Sequence, residues 1–510
     1  MRKHLPTIFY NPVSLVGGGL AAVSFGLILF LVILELFAGM SKPYVGVIAF
    51  VVLPVFLLIG IFLFFLGAIR ERKRRISGGI KEIIFPVIDL NDKIQRRAVF
   101  YFSAGGILFL IFSAFGSFKA YEYTDSNAFC GEICHRVMEP EYVAYKFSPH
   151  SRVSCVQCHI GPGADWFVRS KLSGAYQVYA TLLNKYPRPI PTPIENLRPA
   201  QETCEQCHWP QHFYTEKQVV NDYFESDEKN TLWNLYLLMK VGGGFEESGV
   251  TSGIHWHMNI KNKVKYYALD KERQIIPYIE VERSDGTKVT YKSTQIDFNK
   301  LDLTKMNSRV MDCIDCHNRP THIFHPPARA VNHALSLGWI DRTLPFIKSV
   351  SVQTLENNYT SKKIALDSIK TYITDFYRLN YPEIFKQKFA EIEKAIIEVQ
   401  KIYNRNYFPE MKTNWINHFD NVGHMYYPGC FRCHDGKHVS DDGKVLTKDC
   451  NVCHTILSQS FENEPVRLSL NGLEYKHPVE IGNDWFDVNC SECHGKKIEE
   501  KALMEKFALK

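Results

Sequence analysis

A chain of 510 residues with 45% apolar and 13% aromatic content has material for two to four ordered domains, which excludes a disordered or low-complexity protein. Its net charge of +6 is local: residues 1–97 carry 12 Lys/Arg against 5 Asp/Glu and leave the remainder at −1, so no nucleic-acid-binding surface is expected. The 14 cysteines fall into seven pairs, each followed at once by histidine, and none is left over.

In chain order, three long runs nearly free of charge come first, at about 13–37, 45–69 and 98–118. Each is long enough to cross a bilayer core of about 30 Å, and the first is too long for a signal-peptide core. Nine Lys/Arg lie in the connection 70–97, and Arg2 and Lys3 precede the first run. Positive-inside reasoning puts the N-terminus and that loop in the cytoplasm. Three crossings then carry everything beyond residue 119 to the far, non-cytoplasmic side, with the lipid bilayer as a partner of residues 1–119. No histidine lies between His4 and His135, so the helices cannot hold a bis-histidine haem b.

The cysteine pairs follow: Cys130/Cys134, Cys155/Cys158, Cys204/Cys207, Cys313/Cys316, Cys430/Cys433, Cys450/Cys453 and Cys490/Cys493, with His135, His159, His208, His317, His434, His454 and His494 after them. C-x-x-C-H attaches a c-type haem: two thiols form thioethers and the adjacent imidazole turns back to the iron. An odd number of pairs cannot all close into four-cysteine zinc sites. Seven covalent haem c groups are expected, the first on a motif widened by one residue. Eleven further histidines beyond His4 can fill second axial positions: His150, His212, His255, His257, His322, His325, His333, His418, His424, His438 and His477. The favoured candidates, which sit near haem motifs in sequence, are His150, His212, His322, His438 and His477.

Between the motifs, 255–295 reads as a small β insertion, with strands KVKYYAL, IIPYIEVE and TKVTYK, a turn at DKER and a hairpin at Ser284-Asp285-Gly286. Residues 361–404 read as two amphipathic helices broken at Pro382. The expected fold is mostly α with irregular loops. A membrane anchor (1–119) leads to a four-haem region with the β insertion (120–335), a helical linker (336–417) and a three-haem region (418–510).

FCGEICHRVMEPEYVAYKFSPH and SCVQCHIGPGADWFVRSKL, following such an anchor, resemble the NapC/NirT family of membrane-anchored multihaem quinol dehydrogenases over about 98–212. The whole layout is similar to the larger inner-membrane c-type cytochromes of metal-reducing bacteria. The resemblance implies a quinol dehydrogenase, a quinol:cytochrome c electron-transfer enzyme. Its donor would be menaquinol and its acceptors periplasmic c-type cytochromes, for respiration of metals or other extracellular acceptors. It also implies that Met138 binds the first iron, against the alternative of His135, and that Lys171 lies in the quinol pocket. The family's aspartate has no match, so Lys171, Asp165 and Gln177 stand together as candidate quinol-site residues. Two other readings stay open: an electron conduit fed by a partner complex without a quinol site, and a multihaem terminal reductase.

Overall fold

The computed structural model describes residues 7–38, 53–77, 89–133, 135–161, 164–194, 197–209, 216–242, 253–258, 262–283, 285–462, 464–482 and 484–495. They divide into two compact units, Met1–Ile133 with Ser154–Tyr179, and Cys134–Val153 with Ala180–Lys510.

The first unit begins with α1 (Pro12–Ala38) and α2 (Leu53–Ile76). Two helices among the described residues are long and apolar enough to cross a membrane, Pro12–Leu31 and Leu53–Ile76, with mean hydropathy 2.1 and 2.4. Leu15, Val16, Phe25, Leu58, Phe62 and Phe65 point outward, the exposure a lipid-facing helix needs. The two helices cross at glycines. A Cβ on Gly17 would stand 2.6 Å from the Gly60 carbonyl oxygen, and one on Gly60 would stand 2.6 Å from the Ala21 nitrogen. Such close backbone approach is how apolar helices pair without a hydrophobic driving force between them. Ser14 Oγ donates to the Phe64 carbonyl at 2.8 Å, and Asn11 Oδ1 accepts from the Ser14 amide at 2.9 Å. The second span, expected at 45–69, is described only from residue 53. The connection 70–97 contributes the last turns of α2 and the start of α3, and its middle lies outside the described residues. The third expected span, 98–118, falls inside one continuous helix, α3 (Lys93–Thr124). The unit is completed by a π-helical turn at Phe129–Ile133, a one-turn helix at Cys155–His159, and most of α5 (Ala164–Leu182).

The second unit opens with α4 (His135–Lys146) and is built on two antiparallel sheets and a helical block. One sheet has the order β1 (Lys217–Phe224), β2 (Leu232–Met239), β8 (His454–Phe461), β9 (Arg467–Leu468). The other has the order β6 (Asn307–Val310), β3 (Lys263–Ala268), β4 (Tyr278–Glu282), β5 (Lys288–Ser293), β7 (His438–Ser440). The three expected strands are β3, β4 and β5, paired as a meander. Their first turn is closed by the Asp270 carboxylate, which accepts from the Gln274 and Ile275 amides. At the hairpin Asp285 accepts from the Thr287 amide at 2.8 Å and Gly286 takes φ +80°.

The helices are α6 (Pro327–Ser336), α7 (Ile347–Glu356), α8 (Lys362–Asn380), α9 (Pro382–Gln387) and α10 (Phe389–Asn406). Pro382 starts α9 because proline fits a first helical turn but not an interior, so α8 ends before it. Ala365, Ile369, Ile373 and Tyr377 on α8 pack with Ile392, Ala395 and Val399 on α10 as the centre of the largest core. Asn230, buried between β1 and β2 at φ +50°, ties the first sheet to this block. Its Nδ2 donates to the Arg342 and Leu344 carbonyls, and its Oδ1 accepts from the Lys348 amide.

Candidate haem sites

Each described C-x-x-C-H folds as a single helical or 3-10 turn, and local capping explains why. Ser154, Asp312 and Asn489 precede the first cysteine of their motifs. Their backbone amides donate to the side chain three residues on, Gln157 at 3.1 Å, Asp315 at 2.7 Å and Glu492 at 3.1 Å. One turn puts the two cysteines on one side, and the histidine amide returns to the first cysteine's carbonyl, at 2.8 Å for His208 and His317 and 3.0 Å for His434. The sequence thus presents two thiols and one imidazole together, which is what a porphyrin edge and its iron require.

The fourth motif is held most firmly. Asp315 is buried and accepts from Arg309 Nε at 2.8 Å and from the Tyr266 hydroxyl at 2.5 Å, while its carbonyl accepts from Arg432 Nη2 at 2.8 Å and Asn421 at 3.1 Å. Burial, and then the Asp315 charge, push the Tyr266 hydroxyl far up, so it stays a donor.

Five motif histidines face a second histidine. The ring centres are 5.9 Å apart for His150 and His208, 6.3 Å for His255 and His317, 5.9 Å for His257 and His434, 6.2 Å for His424 and His454, and 6.0 Å for His477 and His494. Two metal–nitrogen bonds of about 2 Å set coaxial imidazole centres about 6 Å apart, so each pair fits one iron between its rings. In four of the five the non-motif ring is oriented by a carbonyl at Nδ1: Pro320 for His150, Val241 for His255, Ile254 for His257 and Val479 for His477. That bond fixes the tautomer and leaves Nε2 on the metal side of the ring. Burial holds His255, His257, His317, His434, His454 and His494 below the usual imidazole range, and His424 at about 4, so all stay in the neutral form that binds metal. The buried Nδ1 atoms of His424 and His454 have no hydrogen-bond partner among the described residues. The donor set fits iron porphyrin.

The cysteines sit in chain order. In the first unit the Cys155 thiol is drawn down to about 7, chiefly by a hydrogen bond to Cys130, which joins the first two motifs. In the second unit burial raises the thiols of Cys313, Cys316, Cys453 and Cys490, and a neighbouring thiol adds to each: Cys204 for Cys313, Cys430 for Cys316, Cys430 for Cys453, and Cys450 for Cys490. Motifs three to seven therefore form a sequential row.

The link to Cys130 is made by Cys155, while the charge of Cys158, half-buried in the same turn, opposes the lowering of Cys155. In the third and seventh motifs the row passes through the half-buried Cys204 and Cys490, whereas Cys207 and Cys493 are exposed. In these two motifs the first thiol has a neighbouring motif's thiol beside it and the second lies open to solvent. Cys207 and Cys493 therefore offer their sulfur at an open edge, which a thioether tolerates because it carries no charge to desolvate.

The other expected ligands are placed less simply. His322 has the carbonyl-oriented arrangement, its Nδ1 on the Glu141 carbonyl at 2.9 Å, beside Arg319 and the Glu141 carboxylate. His438 meets Asp435 with Nδ1 at 2.8 Å and the Ile276 carbonyl with Nε2 at 2.7 Å, so protein groups take both ring nitrogens. Met138 is half-buried in α4, and His159 is exposed. Gln177 is exposed on α5, with its amide on Ser173 Oγ at 3.3 Å. Asp165 and Lys171 belong to the same helix, but their side chains, like those of Cys134, His135 and His212, lie outside the described residues. His255, His257 and His424 stand outside the favoured set of ligand candidates; the H-x-H spacing of the first two and the nearness of His424 to Cys430 were the available signals.

Thiol pairs, adjoining imidazoles and opposing imidazoles together define a multihaem c-type cytochrome. The model of the NapC/NirT cytochrome c family, N-terminal region, matches residues 93–190, from α3 through the first two motifs to just past α5. The chain is similar throughout to the cytochrome c-type protein ImcH of Geobacter sulfurreducens, with 44% identity over 97% of this chain and 96% of that protein. It belongs to the NapC/NirT cytochrome c family, and covalently bound haem c comes with that membership. No solved structure matches the chain.

Proposed function

We propose that the chain is an inner-membrane menaquinol-oxidising cytochrome with seven haems c, anchored by α1, α2 and α3, with residues beyond 119 in the periplasm and periplasmic c-type cytochromes as acceptors. The single observation that carries this reading is the row of motifs in chain order, five of them with an opposed imidazole pair. Haem c, when bound, supplies the one-electron chemistry. The residues do the rest. The cysteines tether, His150, His255, His257, His424 and His477 join the motif histidines as axial ligands, and carbonyls orient the rings. His322 shares that orientation and serves a sixth haem, while His212 remains a candidate from its sequence position. Met138 or His135 holds the first iron. A proton base within reach of quinol is required, and Lys171, Asp165 and Gln177 on α5 are the candidates.

The motif next to α3 in sequence is the point of entry and the C-terminal triplet the exit. A chain fed by a partner complex would have no need of a donor site at the bilayer, whereas the family match begins in α3 and ends beyond α5. Pyridine haemochrome analysis is expected to return seven haems per chain. A menaquinol analogue is expected to reduce the purified protein, and a quinol-site inhibitor to block it. Fewer haems, or haems that stay oxidised with the analogue, would overturn the proposal. Substituting His322 with alanine should remove one low-spin haem from the spectrum, and substituting His438 should remove none.

A further inference from the structure

The row of motifs ends in a lobe whose charge is opposite to that of the chain. Residues 449–495 carry eight Asp/Glu against two Lys/Arg, and the stretch to residue 510 is still net −4 in a protein of net +6. Glu474, Glu480, Asp484, Asp487 and Glu492 are exposed, and none forms an ion pair among the described residues. They are not gathered round a cation, since no group of three or more His/Cys/Asp/Glu among the described residues could hold a metal ion.

In the middle of this stretch lies β9, which pairs with β8 through two residues only and leaves its outer side at the edge of the sheet. Val466 beside it, Leu468 within it and Leu470 in the turn that follows are 73%, 71% and 85% exposed. Alternate residues of an extended segment share a face, so Val466 and Leu468 point to one side and, with Leu470 two residues on, form a short apolar strip in the sequence. The strip belongs to the segment that runs from His454, the first residue of β8, to His477, and so lies in sequence between the imidazole pairs of the sixth and seventh motifs. An acidic stretch repels anionic lipid headgroups, so the strip is not a bilayer contact. Exposed apolar residues within an exposed acidic stretch of chain suit a protein docking site, and the sign of that charge sets the sign of the partner.

We propose that this edge is where electrons leave the chain, and that it fits a small soluble electron carrier whose redox centre opens onto a lysine-rich face. The proposal rests on the reading of the chain as an outward electron relay. One electron passes per encounter, the carrier is the oxidant, and no bond or proton changes place.

The test uses the full-length, haem-loaded protein in detergent, reduced with dithionite and desalted, so that no quinol site is involved. Mitochondrial cytochrome c, a basic protein, serves as probe beside the same protein with succinylated lysines, and reduction is followed by stopped flow. The native probe is expected to react at least about tenfold faster than the succinylated one, and its rate to fall at least about tenfold between low and moderate salt. The triple variant E474K/D484K/D487K is expected to slow the native probe about tenfold, and the control D285K/D302K, on acids exposed elsewhere, to leave the rate unchanged. Equal rates with the two probes overturn the proposal without recourse to any variant. So does a triple variant of full haem content that reduces the native probe within about twofold of the parent. A protein that passes this test and yet is not reduced by a menaquinol analogue would fail the quinol reading alone.

Discussion

The helical block from α6 to α10 and the motif-bearing segments around it belong to the same unit and are built on opposite principles. In the block, Val331, Leu344, Ile347, Leu355, Ala365, Ile369, Ile373, Tyr377, Ala395 and Val399 are fully buried. No cysteine lies between 316 and 430, and the helices close on their own side chains. The first sheet, by contrast, has only Trp233, Leu235 and Ile456 as its buried apolar cluster, and each described motif cysteine is half-buried or exposed. What shapes the motif segments is polar and local: capping boxes, the Asp315 network and imidazoles tied to carbonyls. The difference teaches that one part of the chain is stabilised by apolar burial, while the other positions donor atoms and draws its cohesion from the group they hold.

The sharpest way to break that contrast is to withhold haem. Protein made without haem attachment is expected to lose amide-exchange protection throughout 200–317 and 418–495, while α8 and α10 keep theirs. Equal loss in both regions would show that the block has no independent stability. The next effect is local to the fourth motif. Asp315→Asn leaves Arg309 and Tyr266 without their buried carboxylate and is expected to cost about 3–5 kcal/mol of local opening free energy, read by exchange at 309–317, with α8 unaffected.

The same contrast decides how much could be read from the sequence. The motifs, the β3–β5 meander and the two amphipathic helices split at Pro382 were legible, because each is written in local spacing or periodicity. The first sheet was not. β2 pairs with β8 from Trp233/Phe461 to Met239/His454, more than 200 residues apart, and no local pattern encodes that partnership. The ligand pairs failed for the same reason. His424 stands six residues before Cys430, yet its ring meets His454 of the next motif. His438 follows His434 closely, yet Asp435 and the Ile276 carbonyl take its nitrogens, because β7 closes the edge of the second sheet beside β5. The unequal exposure of Cys207 and Cys204, or of Cys493 and Cys490, was equally hidden, since the motif spells the same spacing whichever thiol the turn leaves beside solvent. Proximity in sequence reports which haem a histidine is near only where the connection is local, and most of the paired histidines reach theirs through sheet pairing or a long loop.

Within the block the expected effects are those of an ordinary hydrophobic core. Ile373→Ala removes a fully buried side chain at the α8–α10 contact and is expected to cost about 3 kcal/mol, with the haem spectrum unchanged. A shifted spectrum would mean that the block and the haem sites are coupled more tightly than their separate construction implies.

The smallest effect comes from the cap of α8. Ser361 Oγ accepts from the Ile364 amide at 3.4 Å, a long bond at the N-terminus of a helix that begins with two lysines, Lys362 and Lys363, where a positive charge opposes the helix dipole. Ser361→Ala should therefore destabilise α8 by about 1 kcal/mol, and Lys363→Glu, which reverses the unfavourable charge in the first turn, should return a fraction of that, about 0.3–1 kcal/mol. Both shifts should appear in exchange from α8 and be absent from the motif segments. A motif segment that followed them would show that even a helix terminus with no haem contact helps set the haem sites, and the two principles of construction would then be one.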